Sequence, residues 1–307
     1  MIKKFENLDQ VTNDHTFLDM YRWNKERYRK QKDLEKQIGR MDKPQVDQLR
    51  SNRNRTSITW VGHSTFLIQI AGTNILTDPV WARRMGFQTR LTEPGIKIDD
   101  LPPIDVVLIS HGHYDHLDFA SIRQLKDSPE YFVPIGLGKT FVKKGYDLVH
   151  EANWWETFEY GDLSFHFVPA QHWTRRGIFD MNTSHWGGWV IENKRTSETI
   201  YFVGDTGYFR GFKDVAEKFN LNYVLMPIGA YEPEWFMASS HINPEDAVRA
   251  FLELDGDYFI PMHYGAYRLA DDTGPEALGR LLAEWDRRML AKEKLKALLL
   301  GETFWAN

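Results

Sequence analysis

His111-Gly112-His113-Tyr114-Asp115-His116 follows directly on the apolar run Val106-Val107-Leu108-Ile109. Four side chains able to hold a cation therefore fall within six positions, on a loop that leaves a buried strand. Imidazoles and a carboxylate suit a borderline cation such as Zn²⁺. Packing alone gives no reason to gather such side chains, so the loop predicts a metal site at a strand end. Alternation along the loop sends His111 and His113 to one side and Asp115 and His116 to the other.

Further candidates lie at the ends of other apolar runs. His172 follows 165–170, Asp205 follows Tyr201-Phe202-Val203-Gly204, and His263 follows Tyr258–Met262. If these strands run side by side, their exits meet on one edge, where open sites are normally built. His172 then joins His111 and His113 in a three-histidine set. His263 joins Asp115 and His116 in a mixed set, and Asp205 is placed to bridge the two. Two cations about 3.5–4 Å apart lower the pKa of a water held between them. Asp78, just before Pro79, is read as orienting the ligand loop from behind, or as an ordinary Asx turn. His63, in Trp60-Val61-Gly62-His63-Ser64, is a supporting donor to the ligands or a buried, hydrogen-bonded histidine. His15 and His150 are read as surface residues, His166 as part of a strand, and His185 as part of a polar loop.

The chain of 307 residues allows one large domain or two modest ones. With 42% hydrophobic and 26% charged residues it is globular, and its net charge of −5 supplies no field to draw in nucleic acid. It contains no cysteine, so a metal must be held by nitrogen and oxygen. Met1-Ile2-Lys3-Lys4-Phe5-Glu6 lacks the apolar stretch of a signal peptide, and no run approaches the ~20 apolar residues of a membrane span. The expectation is a soluble, cytoplasmic protein. Residues 1–55 are polar, with Phe17, Met20, Tyr21 and Tyr28 at near-helical spacing. Eight Lys/Arg against three acids lie between Arg22 and Arg40. This stretch is read as a helical extension packed on a domain of residues 56–307, with peripheral membrane contact as the rival reading.

Strands are expected at 58–61, 65–70 and 75–77, joined by turns, and a loop-like stretch at 81–103. A strand at 105–110 precedes the histidine loop, and Asp118 caps a helix over 119–125. Later strands are read at 163–169, 188–193, 198–204, 223–228 and 258–262, and helices at 211–219, 244–254 and 275–292. Asn243, Pro244, Glu245 and Asp246 give the 244–254 helix a cap, a first-turn proline and first-turn acids. Early hairpins and later strand–helix units fit an α+β chain of two face-to-face sheets with helices outside. Trp154, Trp155, Trp173, Trp186, Trp189, Trp235 and Phe236 are candidates for a lipid groove.

At the histidine loop the chain resembles the metallo-β-lactamase fold superfamily, whose signature is this motif followed by a separate His, Asp and His. One branch is more similar still: the N-acylphosphatidylethanolamine-hydrolysing phospholipase D family. The similar segments include Thr59-Trp60-Val61-Gly62-His63, Leu76-Thr77-Asp78-Pro79, Gln171-His172-Trp173 and Gly204-Asp205-Thr206-Gly207-Tyr208. The longest is Pro227-Ile228-Gly229-Ala230-Tyr231-Glu232-Pro233, followed by Trp235-Phe236-Met237. The resemblance implies an αββα four-layer sandwich, two Zn²⁺ ions (with Mn²⁺ or Fe²⁺ as substitutes), and hydrolysis of a phospholipid phosphodiester. It also implies substrate-binding roles for His241, Tyr231 and Trp235. Residues 81–99 and the N-terminal stretch depart from the family pattern.

In the mechanism expected from this reading, Asp115 takes the proton of the attacking water and His241 assists the leaving group. Rival readings are a zinc-dependent hydrolase of lactones or soluble phosphodiesters, a di-iron oxidoreductase, and a metal-bound sensor or scaffold without turnover.

Overall fold

The computed structural model describes residues 3–13 and 15–306; Met1, Ile2, Asp14 and Asn307 lie outside it. Runs of β-branched and aromatic residues open the first sheet. β1 (Ser57–Gly62), β2 (Thr65–Ile70) and β3 (Thr73–Thr77) form an antiparallel meander. A small hairpin, β4 (Arg84–Met85) with β5 (Gln88–Thr89), interrupts the following stretch. β6 (Val106–Leu108) then pairs parallel with β3, and β7 (Glu130–Pro134) and β8 (Val149–Ala152) continue in parallel.

In the second sheet β9 (Thr157–Tyr160), β10 (Leu163–Val168), β11 (Gly188–Asn193) and β12 (Glu198–Phe202) alternate in direction. β13 (Tyr223–Pro227) and β14 (Tyr258–Met262) join in parallel, each a nearly continuous apolar run, as a strand covered on both faces requires. β15 (Thr303–Trp305) returns to pair with β1, which completes sheets of seven and six strands.

The helices are α1 (Phe17–Arg29), α2 (Val46–Ser51), α3 (Phe119–Ile122), α4 (Gly138–Lys143), α5 (Gly211–Ala216), α6 (Glu234–Met237), α7 (Pro244–Leu254) and α8 (Gly274–Arg287). Leu49, Phe119, Ile122 and Phe141, from α2, α3 and α4, pack on the outer face of the first sheet with Leu67, Leu76, Val107 and Val133. On the second sheet, Phe251 of α7 and Trp285 of α8 lie 5.3 and 5.6 Å from the Phe259 ring. Between the sheets Phe66, Ile68, Leu108 and Phe132 meet Phe165, Phe167, Trp189 and Phe202. The layers are therefore helix, sheet, sheet, helix, the αββα sandwich expected. Among the described residues no helix is long and apolar enough to cross a membrane.

The differences from the sequence reading are local. The helix behind Asp118 stops at Ile122 rather than 125, α5 at Ala216 rather than 219, and α8 at Arg287 rather than 292. Met289, just past α8, has φ 53°, which breaks the helical path. The stretch 81–103 holds the β4–β5 hairpin and a 3₁₀ turn at Ile98–Asp100. Strands β7, β8, β9 and β15 were not legible, because such short pieces carry too little periodicity. α1 forms where the spacing predicts a helix, but Phe17, Tyr21 and Tyr28 are 85%, 62% and 94% exposed. Polar contacts hold it instead: Trp23 Nε1 donates to the buried Asp271 at 3.0 Å, and Lys30 pairs with Glu232 and Asp271.

Gly229, two residues past β13, ties the fold to the site. A Cβ there would lie 2.0 Å from the carbonyl oxygen of His263. Gly229→Ala is expected to cost about 1–3 kcal/mol through this overpacking. Thermal unfolding checks it, and an unchanged Tm contradicts it.

Candidate metal centre

The carboxyl ends of β6, β10, β12 and β14 deliver their following residues to one rim. Asp78, at the end of β3, anchors the histidine loop. Its fully buried carboxylate accepts from Ser110 N at 2.7 Å, from Ser110 Oγ at 2.5 Å and from His116 Nδ1 at 2.7 Å. Arg176 holds the loop from the other side, donating to the carbonyls of Gly112 at 2.7 Å and Leu117 at 2.9 Å. Neither Ser110 nor Arg176 was singled out in the sequence, since neither carries a motif.

These hydrogen bonds set the tautomers. Ser110 Oγ donates to Asp78, so it accepts from His111 Nδ1 at 2.9 Å and leaves His111 Nε2 as a lone pair. The Ser240 carbonyl accepts from His172 Nδ1 at 3.0 Å, which frees His172 Nε2 in the same way. Both Nε2 atoms face His113 Nδ1, at 2.9 and 3.2 Å. One proton on His113 cannot serve two lone pairs well. A tetrahedral cation with bonds of about 2.1 Å places its ligands about 3.4 Å apart, close to this spacing.

The second set gathers around Asp205. Its Oδ2 lies 3.1 Å from His116 Nε2, 3.0 Å from His263 Nε2 and 3.7 Å from His241 Nδ1. It also lies 4.0 Å from His172 Nε2, in the three-histidine set. Asp115 Oδ2 stands 3.4 Å from His116 Nε2 and 3.6 Å from His263 Nε2. His116 Nε2, His263 Nε2, His113 Nε2 and Asp205 Oδ1 are all buried without a hydrogen-bond partner. Orphaned donors and acceptors at this density are expected of a centre that holds cations rather than of packing. Among the described residues four groups have ligand atoms within 4.8 Å of one another: His111, His113 and His172; His63, Asp115, His116 and His263; Asp78, His111 and His116; and His172, Asp205 and His241. His63, buried, has its Nε2 3.0 Å from Asp115 Oδ2.

Burial, reinforced by neighbouring histidines, holds His111 and His172 well below the usual imidazole range. Burial likewise takes His113 and His241 to about 4 and His63 to about 3. These rings are neutral at pH 7 and offer lone pairs. At His263 burial opposes the charge, but Asp205 and Asp115 prevail and push it up to about 9. The same carboxylates raise His116 against its burial. Burial also works against ionised Asp115 and Asp205, yet His116 outweighs it and keeps both well below the carboxylate range. The centre thus has a neutral lone-pair side and an ion-paired side, whose His116 and His263 would have to give up protons to bind a cation.

Several residues here occupy left-handed backbone: His63 at φ 57°, Asp78 at 33°, Ala230 at 60° and His263 at 62°. Such conformations cost of order 1–3 kcal/mol each and cluster at functional sites. Over the centre lies a cavity of about 440 Å³ with His113, Asp115, Asp205 and His241 on its floor. Met85, Tyr114, Trp173, Met237 and Leu269 form apolar walls, and Arg84 stands among them.

Of the residues read as substrate-binding, His241 lines this cavity, whereas Tyr231 and Trp235 do not. Tyr231 is buried with the Arg280 guanidinium 4.5 Å from its ring. Trp235 donates to Glu26 and lies 4.0 Å under Arg22. The aromatic groove also disperses: Trp186 and Trp189 are core, and only Trp173 of that set lines the cavity. His185, in its loop, is buried against Phe5.

Residues 73–264 match the beta-lactamase superfamily domain. The chain is 39% identical over 230 residues to N-acyl-phosphatidylethanolamine-hydrolyzing phospholipase D 1 of Caenorhabditis elegans, which covers 68% of this chain and 64% of that one. It is 32% identical over 242 residues to the mitochondrial N-acyl-phosphatidylethanolamine-hydrolyzing phospholipase D of Saccharomyces cerevisiae, covering 74% of this chain and 52% of that one. The chain therefore spans less than two thirds of these relatives' length. A possible metal-dependent hydrolase of Veillonella parvula shares the fold at TM-score 0.67 and 19% identity, over 82% of this chain and 99% of that one. The αββα layers, the loop at the rim and the superfamily match agree: this chain belongs to the beta-lactamase superfamily, of the metallo-β-lactamase fold.

Proposed function

We propose that this protein is a metal-dependent phosphodiesterase that hydrolyses N-acylphosphatidylethanolamine-like phospholipids with two Zn²⁺ ions. One observation carries the reading: Asp205 Oδ2 stands within 4.0 Å of histidine nitrogens from both ligand sets, beneath a cavity. His111, His113 and His172 would hold one cation, and Asp115, His116 and His263 the other, with Asp205 shared. When bound, such a pair acidifies water and offsets the charge that develops on phosphoryl oxygens. Asp115, on the cavity floor, accepts the proton of the attacking water at its carboxylate. His241, also on the floor, donates a hydrogen bond from its neutral ring to the leaving oxygen, which takes up the proton that Asp115 accepted. Met85, Trp173, Met237 and Leu269 exclude water and receive apolar substrate, while Arg84 suits the phosphate.

The names of the two phospholipase relatives support the substrate class. So does the surface around the mouth. Phe87, at the tip of the β4–β5 hairpin, is fully exposed, and Ile178 and Phe179 are 75% and 90% exposed. Their loop touches the cavity wall through Tyr114, which donates to the Arg176 carbonyl. A peripheral lipid surface would cover such groups.

The test is to determine metal content and then compare rates on N-acylphosphatidylethanolamine vesicles, a small aryl phosphodiester and an acyl lactone. The phospholipid is expected to give the highest kcat/KM, and the chain to sediment with the vesicles. Preference for the lactone would replace the phosphodiester reading with a carbonyl one.

A further inference from the structure

The amino-terminal segment enters the centre from behind. Phe5 N donates to the Asn182 carbonyl at 2.9 Å, and the Phe5 ring stacks on His185 at 4.4 Å. This anchors Asn7, whose buried side chain grips both backbone groups of His172 and also donates to the Val11 carbonyl at 2.8 Å. Asn7 Oδ1 accepts from His172 N at 3.0 Å, and Asn7 Nδ2 donates to the His172 carbonyl at 3.0 Å. Asn7 is itself held, since its Oδ1 also accepts from Trp186 Nε1 at 3.0 Å.

Asn13 makes one long direct contact, Nδ2 to the His172 carbonyl at 3.5 Å, and otherwise acts one step away. Its Oδ1 accepts from Ser239 Oγ at 2.5 Å and Ser240 Oγ at 2.8 Å. The Ser240 carbonyl is the group that accepts from His172 Nδ1 and aims Nε2 at His113. One segment therefore fixes both where the His172 backbone sits and which way its ring faces. Neither asparagine lies within residues 73–264, the stretch that matches the superfamily domain.

We propose that Asn7 and Asn13 are positioning residues that hold His172 in place to bind a cation. This rests on reading His111, His113 and His172 as a cation-binding set. Hydrogen bonds behind a ligating histidine commonly contribute ten- to hundredfold in metal affinity. A cavity of about 360 Å³ already borders Asn7, Asn13 and His172, so water can reach the groups that truncation frees. The chain with Asn7→Ala then folds, but His172 loses its fixed position.

The experiment uses the full chain loaded with Co²⁺, followed by its visible spectrum and by competition with a chelator. Wild type is expected to hold two Co²⁺. Asn7→Ala and Asn13→Ala should each release one of the two about ten- to hundredfold more readily, with a shifted band for that ion. Asn7→Asp keeps the acceptor for His172 N and loses the donor, so a smaller loss is expected. Asp9→Ala, which only breaks the exposed pair with Arg210 on the same segment, should leave both ions in place.

Wild-type chelator resistance and spectrum in both alanine variants would overturn the proposal and leave the metal reading standing. Failure of the wild-type chain to take up Co²⁺ would overturn both. If Asn7→Ala does not fold, Asn7→Asp and Asn13→Ala decide by the same readouts.

Discussion

Asp205→Asn is expected to lower kcat/KM by about a thousandfold or more and to lose at least one metal equivalent. The fall corresponds to about 4 kcal/mol of transition-state stabilisation. Asp205 Oδ2 lies 3.1, 3.0 and 4.0 Å from nitrogens of His116, His263 and His172, so one oxygen serves both sides of the centre. Asparagine keeps the shape but replaces an anion with a neutral oxygen and an NH₂ donor, and it cannot bridge two cations. Asp115 remains 3.4 and 3.6 Å from His116 and His263, so the fold should survive. Elemental analysis and steady-state rates on the same preparation are the measurement. A variant with full metal content and full activity would show that Asp205 does not bridge.

Asp78→Ala should produce the largest loss of stability of any single change near the site. The carboxylate is completely buried and accepts three hydrogen bonds, from Ser110 N, Ser110 Oγ and His116 Nδ1. Removing one partner of a buried charged pair costs about 3–5 kcal/mol, because the other partner is left buried and unpaired. The same change frees the His111 tautomer, which depends on Ser110, so metal affinity should also fall about ten- to hundredfold. Urea unfolding of the metal-free chain and chelator competition read the two effects separately. A stability within about 1 kcal/mol of wild type would mean that water replaces the carboxylate, against the usual cost of such a deletion.

The sequence was most legible where chemistry and periodicity coincide. The 244–254 helix could be bounded because Asn243 caps it and Pro244 opens it, both local effects. The central strands 163–168, 188–193, 223–227 and 258–262 stood out because both of their faces are largely buried. Edge and terminal strands such as β9 and β15 did not stand out. They are half-exposed pieces of four and three residues, and their partners define them more than their own composition does.

For the centre, residue types and strand-end positions pointed to His111, His113, Asp115, His116, His172, Asp205 and His263. Those signals are local: each residue is a cation-binding type that directly follows an apolar run. They could not place Tyr231 or Trp235, because membership of a similar segment says nothing about which face a side chain occupies. Nor could they reveal Asn7, which is 165 positions from His172 in the chain.

By itself, then, the sequence determined which side chains are candidates to bind cations, the layered class of the fold and most of its helices and strands. These follow from side-chain chemistry and from hydrophobic period. The tertiary structure alone decided which ring nitrogens face inward, how Asp205 stands between the two sets, and that the amino-terminal segment props His172. Those features depend on hydrogen bonds between residues far apart in the chain and on left-handed backbone at His63, Asp78 and His263, which the packed sheets hold in place.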